Sequence, residues 1–80
     1  MDIPVRNKEE QRILQKMEQK GFPGSVKMTV IGAIWDEPEQ LTELEKLLDN
    51  GATAREMGRA VQPIIRRALA RQGIFLEDPT

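Results

Sequence analysis

Pro63 lies inside an amphipathic, arginine-bearing stretch of the sequence, residues 51 to 73. Proline has no amide hydrogen and its ring crowds the carbonyl four residues earlier, so a helix must stop or kink there. Because proline also suits the first position of a helix, we predict one helix over residues 54 to 62 and another over 63 to 72. Thr53 with Glu56 forms a capping box for the first helix, and Gly73 ends the second.

The charge of this stretch differs from that of the whole chain. It contains five arginines and one acidic residue, Glu56, which gives a local charge of +4 in a chain whose formal charge is −1. Residues 35 to 50 contain six acidic and one basic residue, for a formal charge of −5, and residues 1 to 34 have a formal charge of +2. Segregated charge of this kind steers association with proteins as readily as with nucleic acid. The five arginines are Arg55, Arg59, Arg66, Arg67 and Arg71.

Length and residue types exclude several classes of function. Eighty residues make one domain, residues 1 to 80, with a small core. The chain has no histidine, cysteine or tyrosine, so the usual nucleophile and base pairs and zinc sites cannot be assembled. We predict that the protein is not an enzyme and has neither a cofactor nor a metal. No signal peptide or membrane-spanning run is recognisable, and a cytoplasmic location fits.

The N-terminal half predicts a helix followed by a strand. Asn7 and Glu10 form a capping box for a helix over residues 8 to 20. Residues 26 to 34 alternate apolar and polar side chains before becoming wholly apolar, which predicts a β-strand. A lone strand needs a partner, either residues 74 to 76 or the same strand of a second copy, so a homodimer is possible. The candidate interface residues in this region are Val26, Met28 and Val30.

Two other features of the sequence have alternative interpretations. Four cations recur at a spacing of four on the first helix, namely Lys8, Arg12, Lys16 and Lys20. We interpret them as a solvated face, with contact to phosphates or to an acidic protein as the alternative. A leucine-rich helix is predicted over residues 37 to 50, and Trp35 lies just before it. We interpret Trp35 as a side chain that covers the core, with a role in an interface as the alternative.

The C-terminal half, residues 35 to 74, has a spaced pattern of caps, glycines and apolar residues. The pattern consists of Trp35-Asp36-Glu37-Pro38-Glu39, Leu44, Leu47, Gly51, Thr53, Glu56-Met57-Gly58, Val61, Ile64-Ile65, Leu69 and Gly73-Ile74. It resembles small bacterial and phage DNA-binding domains of the Myb/SANT-like or homeodomain-like class, and the resemblance covers about half the chain. Only Gln62-Pro63 separates Val61 from Ile64, where that family has some five residues, so one kinked helix over residues 53 to 72 is the alternative.

The expected fold is therefore mainly α within an α+β class, with an N-terminal helix, one strand and a C-terminal trihelical, helix-turn-helix-like unit. The resemblance implies a small transcription-regulator-like protein that binds double-stranded DNA. It implies that Arg66, Arg67 and Arg71 face the DNA and that Arg55 and Arg59 contact phosphates. The alternative is a small protein-binding inhibitor or adaptor of phage type, for example an anti-defence or anti-CRISPR-like protein, that acts through its segregated charged faces.

Overall fold

A computed structural model describes residues 5–74, and these residues form a bundle of four α-helices. In chain order the elements are α1 (Lys8–Gln19), α2 (Gly24–Asp36), a 3-10 turn (Pro38–Gln40), α3 (Leu41–Asp49) and α4 (Ala54–Arg71). No strand occurs among the described residues. The expected α+β class is therefore wrong, and the described part of the chain is all helical.

The stretch predicted as a strand, residues 26 to 34, lies within α2. Val26, Met28 and Val30 alternate with polar residues only over a short distance, and the same segment also fits a helical repeat. Val30, Ile31, Ala33 and Ile34 are all buried, a spacing that places them on the inner side of one helix. Helix α2 packs against both α1 and α4, and these two contacts decide the conformation of an apolar run that either structure could have used. Strand pairing between copies is excluded with the strand, and residues 75 and 76 lie outside the described part.

The start of α1 follows the predicted capping pattern with one change. The Asn7 side chain accepts a hydrogen bond from the Glu10 amide, as a helix cap should. The Glu10 carboxylate, however, accepts from the backbone amide of Arg6 instead of the backbone amide of Asn7. Helix α1 ends at Gln19, and Gly21 follows with a positive φ of 74°. The predicted N-terminal helix is confirmed to within one residue.

The predicted helix over residues 37 to 50 begins later than expected. Residues 38–40 form a 3-10 turn, and α3 proper starts at Leu41. Leu44 and Leu48 are buried on its inner side, whereas Leu47 is exposed. Gly51 ends the helix with a φ of 90°, in the left-handed region that glycine adopts without strain.

Helix α4 is continuous through Pro63, so the predicted break between residues 62 and 63 is wrong. Met57, Val61, Ile64 and Ala68 recur at spacings of four, three and four and are all buried. Each large apolar side chain gains about 1.5–3 kcal/mol on burial, and together they outweigh the roughly 3 kcal/mol that an interior proline costs. The Thr53 capping box and the Gly73 cap both form as predicted. Without a turn at Gln62-Pro63, no separate third helix exists, and the trihelical helix-turn-helix-like unit is not formed.

The core lies between α2, which packs on α1 and α4, and α3, which packs on the same two helices. It includes side chains from all four helices, and Phe22 closes it from the α1–α2 loop. Among the described residues, no helix combines the length and apolar character that crossing a membrane requires.

Candidate interaction surface

The outer side of α4 presents a row of arginines. Arg55, Arg59, Gln62 and Arg66 follow one another at spacings of four, three and four, and all four are exposed. At 100° per residue, this set lies opposite the buried set that begins at Met57. We call Arg55, Arg59 and Arg66 the arginine row. Pro63 is exposed beside it and, having no amide hydrogen, cannot donate to the Arg59 carbonyl.

The remaining two arginines of α4 are directed at an acid within the protein. Arg67 donates two hydrogen bonds to the Glu37 carboxylate, at 2.8 and 2.9 Å, and Arg71 lies 3.9 Å from the same group. Glu37 is buried, at 6% exposure, between α2 and the 3-10 turn. The hydrogen bonds from Arg67 lower the pKa of Glu37, although burial opposes this shift, and Glu37 in turn raises the pKa of Arg67. The structure therefore divides the five predicted DNA-contacting arginines into an outward row of three and a pair that joins α4 to the start of the 3-10 turn.

The cation column on α1 is also divided. Arg12 donates to both Glu45 oxygens, at 2.6 and 3.0 Å, and Lys16 contacts Asp49 at 2.7 Å and Glu45 at 3.3 Å. These contacts lower the pKa of Glu45 and raise the pKa values of Arg12 and Lys16. The two middle cations thus join α1 to the acidic helix α3, which the spacing of four could not reveal. Lys8 and Lys20, at the two ends, are exposed.

A buried carboxylate holds Trp35 in place. Glu10, at 1% exposure, accepts from the Trp35 indole at 2.6 Å, from the Arg6 amide at 3.0 Å and from the Arg6 guanidinium at 3.2 Å. The Arg6 guanidinium carbon also lies 4.9 Å from the centre of the Trp35 ring. Burial would raise the pKa of Glu10, but these hydrogen bonds and the Arg6 charge together lower it. The Glu10 contact with Trp35 was missed from the sequence because it joins residues 25 positions apart.

The predicted interface residues of α2 lie on two different sides of that helix. Val30 is fully buried, and Val26 is half-buried against the core. Met28 and Trp35 are exposed, at 46% and 37%. Only Met28 and Trp35, of the four predicted interface residues, lie together on a surface that a partner could contact.

Residues 5–74 contain no cluster of three or more acidic side chains that could hold a metal ion. Two exposed groups of predicted site residues remain on the described helices, the arginine row on α4 and Met28 with Trp35 on α2. The resemblance to Myb/SANT-like domains stays a prediction. Comparison with protein-family models, with curated proteins and with solved structures finds no match to this chain.

Proposed function

We propose that this protein is a small helical binding module that recognises an acidic segment of a partner protein through the arginine row on α4. The observation that carries the proposal is the continuity of α4. One uninterrupted helix presents Arg55, Arg59 and Arg66 on a single exposed side. A guanidinium group can donate two parallel hydrogen bonds to a carboxylate, which gives such a row geometric selectivity as well as charge.

The dimensions of the row suit a short peptide segment. Eleven residues separate Arg55 from Arg66, which corresponds to about 16 Å along a helix. About five residues of extended chain, or three turns of helix, span that length. We therefore expect the partner to present several carboxylates along one strand or one side of a helix.

The distribution of charge favours a protein partner over DNA. Helix α4 carries five arginines and one acid, for +4, whereas the whole chain is −1, so the remaining residues sum to −5. Nucleic-acid-binding domains usually have a high isoelectric point, whereas that of this chain is about 5.4. A short acidic segment of a partner can contact the arginine row without approaching the acidic residues elsewhere in this protein. A long DNA duplex extends past the row, and those acidic residues repel its phosphates.

Duplex DNA is the second candidate, and one observation favours it. Arg55, Arg59 and Arg66 are exposed along one side of a helix, and guanidinium groups bind phosphate oxygens as well as carboxylates. In this version of the DNA hypothesis, Arg67 and Arg71 hold Glu37 and do not contact phosphates.

A titration with two probes separates the candidates. A fluorescent 15-residue peptide of alternating Glu and Ala and a fluorescent 20-base-pair duplex of random sequence are each titrated with the protein at low and at moderate salt. The test variant changes Arg55, Arg59 and Arg66 to Gln. The control variant removes the same charge elsewhere, by changing the exposed Lys8, Lys20 and Lys46 to Gln.

We expect the acidic peptide to bind more tightly than the duplex, and the arginine-row variant to lose about tenfold or more in peptide affinity, about 1.4 kcal/mol. The control variant should lose much less. Equal losses in the two variants, or no binding of the peptide, would contradict the proposal. Tighter binding of the duplex, with a salt dependence that falls in the arginine-row variant alone, would instead support DNA.

A further inference from the structure

The sequence continues past α4 with two acidic residues, and we propose that residues 75–80 bind back along α4 and place these acids at Arg66. The 75–80 segment reads Phe-Leu-Glu-Asp-Pro-Thr and lies outside the described part of the chain. Its formal charge is −2, from Glu77 and Asp78. The segment would then cover one end of the arginine row, and its effect on a partner there rests on the function proposed above.

The end of α4 directs the chain to one side of the helix. The Gly73 amide donates to the Ala70 carbonyl at 3.0 Å, and the Ile74 amide donates to the Leu69 carbonyl at 2.8 Å. These two hydrogen bonds form a Schellman motif, with Gly73 in the left-handed region at a φ of 81°. The chain therefore leaves α4 beside Leu69 instead of continuing along the helix axis.

The Leu69 side of α4 adjoins the arginine row. Leu69 comes three residues after Arg66, and side chains at this spacing are neighbours on a helix. Leu69 and Ile65, four residues apart, are both half-buried, and Ile74 is 48% exposed. A segment that runs back along this side thus meets apolar side chains, with Arg66 next to them.

The order and length of the 75–80 segment match this surface. Its two apolar residues come first and its two acids follow. Arg66 lies six residues before Gln72, where the helix ends, or about 9 Å along the axis. Three to four residues of extended chain span about 10–14 Å. The two acids, third and fourth after Ile74, can therefore reach the Arg66 guanidinium.

Attachment to the same chain selects this segment as the occupant. A segment joined through a short linker has a roughly millimolar effective concentration, so even a weak contact is populated. Guanidinium groups bind carboxylates with two parallel hydrogen bonds, and a surface depression at this end of the row is lined by Arg59, Gln62, Pro63 and Arg66. The segment therefore competes with a separate acidic peptide for this end of the row.

The variants neutralise acids without shortening the chain. The test variant is Glu77→Gln with Asp78→Asn. The matched control is Glu9→Gln with Glu18→Gln, which removes the same charge from two exposed positions on α1. Thermal unfolding of each variant checks that it folds.

NMR of the full chain tests the contact with no peptide present. We expect nuclear Overhauser effects between the Phe75 ring and the methyl groups of Ile65, ten residues earlier. We also expect the side-chain Nε–H signal of Arg66 to shift in the test variant and not in the control. The signal of Arg55, about 16 Å further along the helix, should stay unchanged in both. Absence of the Overhauser effects, together with an Arg66 signal that does not shift, would overturn the proposal.

Titration with the fluorescent peptide of alternating Glu and Ala tests the competition. A segment that covers the row about two-thirds of the time reduces the apparent affinity about threefold. We therefore expect the test variant to bind the peptide at least about threefold more tightly than the control variant. Equal affinities would overturn the competition. Absence of peptide binding in every variant would contradict only the function proposed for the row, because the NMR measurements decide the contact without the peptide.

Discussion

At the scale of single residues, the carboxylate of Glu10 is held by hydrogen bonds from three other residues. It is buried, and it accepts hydrogen bonds from the Arg6 amide and guanidinium, from the Trp35 indole and from the Asn7 side-chain amide. Buried charge is costly unless it is fully hydrogen-bonded, and this carboxylate has two partners for each oxygen. Glu10 thus links the start of α1 to the end of α2 and fixes the orientation of Trp35.

We expect Glu10→Gln to destabilise the fold by about 1–3 kcal/mol, because its new amide group would face the donors of Arg6 and Asn7. For a domain of this size, each 1 kcal/mol lowers the unfolding temperature by roughly 4–8 °C. Calorimetry or circular dichroism measures the shift. Glu9→Gln is the control, since Glu9 is exposed on the same turn. Equal shifts in the two variants would show that the buried hydrogen bonds contribute little.

At the scale of elements, α4 shows how packing overrides a local signal. Pro63 removes one backbone hydrogen bond, to the Arg59 carbonyl, and yet the helix continues for eight residues beyond it. Pro63 lies on the exposed side, whereas Val61 and Ile64 on either side of it are buried. The apolar contacts therefore hold both halves of α4 in line against the core.

Replacing Pro63 with alanine should stabilise the protein. The change restores an amide donor for the Arg59 carbonyl and relieves the ring contact, while the unfolded chain gains some entropy in return. We expect a net gain of about 1–2 kcal/mol, measured by chemical denaturation, and little change in the neighbouring control Gln62→Ala. A loss of stability in Pro63→Ala would mean that α4 needs the proline conformation at this position.

At the scale of the whole molecule, three acid-centred contacts join the helices. Glu10 connects α1 to α2, Glu45 connects α3 to α1, and Glu37 connects the 3-10 turn to α4. The pKa of each of these carboxyl groups is lowered in the folded protein. A lowered pKa contributes stability that is present above the unfolded pKa of Glu, about 4.3, and is lost as the pH falls through the folded pKa.

We therefore expect the unfolding temperature to fall as the pH is lowered from about 5 towards 3. Glu45→Gln should lower it at neutral pH and should approach the parent protein at acid pH, where Glu45 is protonated in both states. Glu43→Gln is the control, because Glu43 is exposed on the same helix and its contact with Lys46 is long, at 3.6 Å. Parallel curves for Glu45→Gln and the parent protein across this pH range would contradict the assignment.

The sequence by itself determined the helix ends that depend on neighbouring residues. The Asn7 and Thr53 caps and the glycine that follows α4 were predicted, because capping acts over a few residues. Only the tertiary structure decided that residues 26 to 34 are helical and that α4 passes through Pro63, because contacts with distant helices outweigh local preference there. The tertiary structure also decided which cations form ion pairs between helices, since the partners of Arg12, Lys16 and Arg67 are 30 or more residues away in the sequence. Arg55, Arg59 and Arg66 lie on the exposed side of α4, opposite its buried residues.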